Sequence, residues 1–248
     1  MRSTLLAGLL LVLCCTPCQA REWLVVGTSF PQVFERSETG QFSGLAPELL
    51  QQMSGELGAS LRFELYPWAR AQRMVEQGQA DILIGPYRTP EREARFAFAA
   101  APFYQDRIVF YARRGQGLSW DGSFASLQPH RIAVIRGWTY GSRFEAARAQ
   151  MQLDTVEGVP NGLRMLVAGR IELLATNHRN TLPHLEALQL TDQLVELQPQ
   201  IDVQQGYFAF PRDAGHAELR EHFDQVFQGF VARGELARLA DRLGVSVP

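Results

Sequence analysis

The 248-residue chain has no lysine; all 24 of its basic residues are arginine. That excludes Schiff-base chemistry and a phosphate-binding P-loop, both of which require a lysine amine. Its three cysteines, Cys14, Cys15 and Cys18, all lie in the first eighteen residues. Beyond them nothing can form a disulfide, a thiolate nucleophile or a cysteine metal site. Charge of one sign is also lacking: the formal net charge is −2. A nucleic-acid-binding surface would need a basic excess, so nucleic acid is not an expected partner. No apolar run approaches the roughly 20 residues of a membrane-spanning helix. The motifs G-x-S-x-G and H-E-x-x-H are absent, and no cofactor or metal is expected.

The amino terminus has a purpose of its own. Arg2 supplies positive charge, Leu5 to Leu13 is apolar, and Cys18-Gln19-Ala20 offers small residues before a cleavage point at Arg21. This is the layout of a secretory signal peptide over residues 1–20, and it predicts export to the periplasm. A lipid anchor on one of the cysteines is the alternative.

Apolar residues make up 46% of the chain, enough for a sizeable core. Trp23 to Thr28 reads as a buried strand. A helical pattern opens at Pro47 and closes at Gly58. Leu61 to Leu65 alternates as a strand, Pro67 to Gly78 reads as a helix, and Asp81 to Gly85 as a strand. That order is β-α-β-α-β, the pattern of a parallel sheet covered by helices. It recurs as a strand at 131–135, a helix at 139–150, a strand at 153–156, a helix at 162–168 and a strand at 171–175. Two apolar strands, 106–112 and 205–210, bracket this second unit, and helices at about 216–229 and 234–242 end the chain. The expected fold is therefore α/β, with two parallel-sheet lobes joined by two crossing strands. Lobe 1 is placed at 21–111 and 208–248, and lobe 2 at 112–207. Ligands of such sheets bind beyond the carboxyl ends of the strands, which here is the cleft between the lobes.

Four segments now resemble a known family. They are Thr39-Gly-Gln-Phe-Ser-Gly-Leu-Ala-Pro-Glu-Leu-Leu, Glu76-Gln-Gly-Gln-Ala-Asp-Ile-Leu-Ile, Thr89-Pro-Glu-Arg followed by Phe98 and Pro102-Phe-Tyr, and Ala168-Gly-Arg-Ile-Glu-Leu-Leu. Their order and spacing are similar to those of family 3 periplasmic solute-binding proteins, the polar-amino-acid group. The resemblance implies the type II periplasmic-binding-protein fold. It also implies hinge closure on a small molecule and a monomer that serves an inner-membrane ABC permease or a membrane sensor.

The resemblance also assigns residues. Arg92 matches the arginine that pairs with the ligand carboxylate, a role suited to the planar guanidinium fork. Trp68 and Phe30 match the aromatic rings that flank the ligand. Trp138 and Thr139 lie where a second-lobe strand turns into a helix; Thr139 is expected to bind polar groups or to cap the helix. Two positions depart from the family. The acid that holds a ligand ammonium is replaced by Asn177, and the first-lobe strand ends Gly85-Pro86-Tyr87, where Pro86 has no N–H. Tyr87 is a bulkier donor than the hydroxyl usual there. These departures put a standard α-amino acid in doubt, and the expected ligand is a small polar, carboxylate-bearing solute, an amino acid or an organic acid. A related dehydratase carries an acid where this chain has Asn180, and Asn cannot supply its proton. His178 and His184 are nearby alternatives for that role or for a metal, although the intervening Pro183 predicts a loop.

Overall fold

A computed structural model describes residues 21–248, so the expected signal peptide lies outside the described residues. The chain opens with strand β1 (Arg21–Gly27) and a short hairpin, β2 (Glu35–Arg36) and β3 (Phe42–Ser43). Helix α1 (Leu45–Leu57) follows; it turns Leu49, Leu50, Met53 and Leu57 into the core and stops at Gly58, whose φ of 61° ends the helix in the left-handed region. Then come β4 (Ala59–Leu65), α2 (Trp68–Glu76), β5 (Ile82–Tyr87), α3 (Pro90–Arg95), β6 (Ala97–Phe98) and the long β7 (Tyr104–Arg113).

The second unit consists of β8 (Arg131–Ile135), α4 (Ser142–Ala147), β9 (Gln152–Val156), α5 (Val159–Val167), β10 (Leu173–Asn177), α6 (His178–Ala187) and β11 (Leu194–Glu196). The chain returns through β12 (Asp202–Phe210) and closes with α7 (Ala214–Ala232) and α8 (Glu235–Leu243).

The principal sheet runs β4-β1-β5-β12-β7-β10-β8-β9. The outer three strands at each end pair in parallel. The two central strands are the crossings, β12 and β7, which pair antiparallel from Asp202↔Ile108 to Gly206↔Tyr104. Each is also antiparallel to its inner neighbour, β5 or β10. This is the two-lobed arrangement of the type II periplasmic-binding-protein fold. The carboxyl ends of β5 and β10 thus converge on the hinge from opposite sides.

Each lobe has a smaller core of its own. Ala71 and Val75 of α2 pack with Leu83, Phe96, Phe98 and Ala209 on one face of the first sheet. Leu163, Leu166 and Leu185 pack with Val109, Ala133 and Leu174 in the second lobe. A larger aromatic-rich cluster, including Phe103, Phe110, Phe208 and Phe223, runs along the crossing strands and beneath both units.

Two expectations are corrected. The helix expected at 139–150 is shorter: α4 begins at Ser142, after Gly141 with φ 97°, and gives way to a 3-10 turn at Arg148–Gln150. Thr139 is therefore not its cap. Trp138 and Thr139 lie in a turn opened by Gly137 (φ 74°) and pinned where the Tyr140 hydroxyl accepts the Ile135 N–H at 2.6 Å. Pro183 lies inside α6, not in a loop. Its ring costs about 3 kcal/mol in a helix interior. That cost is opposed by the Asn177 side chain capping Asn180 N–H at 2.8 Å, by Thr181 donating to Asn177 O at 2.7 Å, and by burial of Leu185.

Candidate functional site

All seven residues expected to contact a solute line one cavity between the lobes, together with Gly85 and Tyr104. Its water-accessible space is about 20 Å³, enough for a single water molecule. A wider pocket of about 920 Å³ opens from Arg92, Trp138 and Thr139 toward solvent.

Arg92 is placed by α3. Thr89 caps that helix by accepting the Arg92 N–H at 3.2 Å, and Pro90 occupies the first turn. The side chain is 6% exposed. Its Nη1 donates to Tyr87 O and its Nη2 to Gly137 O, each at 3.0 Å, so one guanidinium touches a first-lobe strand end and a second-lobe turn. Trp68, at the start of α2, lies under it with the guanidinium carbon 5.7 Å from the ring centre. Phe30, in the turn after β1, meets Trp68 edge to face at 5.6 Å. Burial lowers the Arg92 pKa, but a guanidinium stays charged in proteins.

Tyr87 and Asn177 end β5 and β10. Asn177 Nδ2 donates to the Tyr87 hydroxyl at 3.0 Å, and that hydroxyl donates to Asp106 Oδ2 at 2.7 Å. Burial, reinforced by the Asp106 charge, drives the Tyr87 pKa well upward, so it remains a donor. Asp106, near the start of β7, also takes a two-pronged bond from Arg179 of α6, Nε at 2.9 Å and Nη2 at 2.8 Å. Arg179 further donates to Pro31 O in the first lobe and lies over the Tyr104 ring at 5.2 Å. Burial opposes its charge, but Asp106 outweighs that and raises its pKa. The Tyr104 hydroxyl donates to Gly85 O at 2.9 Å. Thr139 Oγ1 is buried with no hydrogen-bond partner.

Sequence reasoning missed Tyr104, Asp106 and Arg179. Tyr104 stood in the Pro102-Phe-Tyr segment, and Asp106 opened a recognised crossing strand. Arg179 had no motif; its role appears only when α6 is placed against β7. Asn180 is buried, with its N–H on Asn177 and its Oδ1 receiving Arg179 at 3.3 Å. His178 and His184 stand six residues apart on α6, a spacing that does not align two side chains on one helix face. His178 Nδ1 lies 2.5 Å from Glu196 Oε2, whereas His184 lines a further pocket with Phe30, Trp68 and Trp138.

Known proteins resemble this chain over most of its length. The model of the bacterial extracellular solute-binding proteins, family 3, matches residues 23–245. The chain belongs to that family. An arginine-binding periplasmic protein of Mannheimia haemolytica is 22% identical over 174 residues, covering 70% of this chain and 69% of that protein. Among solved structures, a histidine kinase sensor domain with similarity to periplasmic binding proteins superposes with a TM-score of 0.81 at 20% identity, covering 92% of this chain and 99% of that one. An ancestral arginine-binding protein bound to arginine gives 0.75 at 16% identity, covering 90% and 97%. An ancestral amino-acid-binding protein described as a precursor of cyclohexadienyl dehydratase gives 0.73 at 18%, covering 90% and 94%. At these identities the structural likenesses speak for the fold alone.

Proposed function

We propose that this family member is an exported solute-binding protein, not an enzyme, that closes around a small carboxylate-bearing solute and delivers it to an inner-membrane ABC permease. The observation that carries this reading is Arg92: a buried guanidinium bonded to carbonyls of both lobes, at the edge of a cavity flanked by Trp68, Phe30 and Trp138. A solute carboxylate that replaces the Gly137 carbonyl on Arg92 forms a stronger, charge-assisted bond and keeps the lobes bridged. Such differential contact is what shifts a hinge equilibrium. The cavity as it stands holds no more than a water, so entry requires the lobes to part around β7 and β12.

A thermal-shift panel of carboxylates on the mature protein tests this. A bound solute at a hundredfold excess over its Kd adds about 2.7 kcal/mol of stability. At least one carboxylate is expected to raise Tm in the wild type and not in Arg92→Met. A panel in which only uncharged solutes stabilise, or in which Arg92→Met responds equally, overturns the reading.

Delivery to a membrane sensor is the second reading, favoured by the sensor-domain structure at TM-score 0.81. Crosslinking of the solute-loaded protein in native membranes separates the two: a permease partner supports uptake, a receptor supports sensing.

A further inference from the structure

We propose that Arg179 makes this site selective for carboxylates that carry no ammonium group. The proposal rests on the carboxylate-capture reading and narrows its solute class.

Among the described residues that line the small cavity, only Arg92 is charged. Arg92 stands on one side. Behind Tyr87 and Asn177 lies Asp106, 3% exposed, whose carboxylate would be the natural partner for an incoming cation. Arg179 already holds both of its oxygens, at 2.9 and 2.8 Å, and the Tyr87 hydroxyl takes a third lone pair at 2.7 Å. The same guanidinium takes the Pro31 carbonyl and the Tyr104 ring face. A carboxylate, an aromatic face and a backbone carbonyl are what a cationic ligand would seek, and a side chain of the protein occupies all three. Asn177, next to them, is neutral; its Oδ1 is used by Asn180 N–H and its Nδ2 by Tyr87.

The sum of Arg92, Asp106 and Arg179 is one positive charge. A carboxylate entering here meets a guanidinium and the unpartnered Thr139 hydroxyl. An ammonium entering this cavity loses its hydration and meets no carboxylate among the described residues that line it; Glu91, Glu145 and Asp202 line the wider outer pocket instead. Arg179 acts through Asp106, without touching the solute, and so sets specificity by removing an acceptor.

The test is calorimetric titration of the mature protein with matched pairs that differ at the α-position: pyruvate and L-alanine, 4-methyl-2-oxopentanoate and L-leucine, phenylpyruvate and L-phenylalanine. In at least one pair the oxo acid is expected to bind at least about tenfold tighter than its amino acid, a difference of about 1.4 kcal/mol. Arg179→Met, which frees Asp106, is expected to reverse that ratio toward the amino acid. The double variant Arg179→Met/Asp106→Asn, which has neither charge, should not reverse it. A structural role alone would weaken both members of a pair equally. An amino acid that binds the wild type as tightly as its oxo acid overturns the proposal and leaves carboxylate capture standing. Silence from all six probes also overturns it, and the separate carboxylate panel then reads whether the capture reading falls too. The wild-type ratios decide the matter if Arg179→Met does not fold.

Discussion

Arg92 and Asp106 divide the electrostatic work of the cleft. Arg92 donates to carbonyls, acceptors that a carboxylate can displace, while Asp106 is bound to Arg179 and Tyr87 and has little left to give. Two outcomes follow from that contrast. Arg92→Lys keeps the charge but loses the planar fork that reaches Tyr87 O and Gly137 O together; solute affinity measured by calorimetry should fall at least about tenfold, equivalent to 1.4 kcal/mol. Asp106→Asn leaves the Arg179 charge buried and uncompensated, and denaturant unfolding should show a loss of about 3–5 kcal/mol. Most residues that line the cavity were legible in the sequence: Arg92 sits in the Thr89-Pro-Glu-Arg segment, and Trp68 and Asn177 follow from the resemblance at a helix start and a strand end, whereas Tyr104 was passed over. The pair behind them was not. Asp106 and Arg179 are 73 residues apart, one on a crossing strand and the other on α6, and no local pattern ties a strand aspartate to a helix arginine.

At the level of elements, close approaches at the hinge fix the site. β12 passes Tyr104 at Gly206, where an added Cβ would lie 1.9 Å from Tyr104 Cε1. Gly206→Ala must displace that ring and with it the bond from its hydroxyl to Gly85 O. A loss of about 1–3 kcal/mol in unfolding free energy is expected from such overpacking, together with weaker solute binding. Most strands and helices could be read from the chain because their apolar periods agree with their turn residues, as with α1 and its Gly58 stop. The two misread elements show where period and tertiary context diverge. The residues after β8 continue a helical pattern, but Gly141 with positive φ breaks it before Ser142. Pro183 signals a break, but the Asn177 cap and the packing of Leu185 carry α6 through it. Capping by the last residue of a strand is invisible to a window that treats strand and helix separately.

Over the whole molecule, the pH dependence of stability draws on carboxylates that do not line the cavity. Glu76, held low by Arg95, Glu172, held low by His130, and Asp213, held low by His216, are all carboxylates with depressed pKa values. A depressed carboxylate contributes stability that is complete above its unfolded pKa and lost as pH falls through its folded one. Thermal unfolding should therefore shift to lower Tm as pH drops below about 4, the ordinary carboxylate range. Asp224, whose pKa burial raises, acts with the opposite sign and offsets part of that loss, because its folded form takes up a proton more readily. A Tm that rises steadily from pH 5 to pH 3 would contradict this balance.

The two lobes themselves meet through Arg92 and Arg179, and the solute is expected to enter at the first and be excluded as a cation by the second. A crystal structure of the mature protein grown with the most tightly bound carboxylate tests this most directly. The carboxylate should lie between the lobes against the Arg92 guanidinium and within hydrogen-bond reach of Thr139 Oγ1, with the Asp106–Arg179 pair intact. A solute seated in the wider pocket away from Arg92, or one whose cationic group has displaced Arg179 from Asp106, would contradict it.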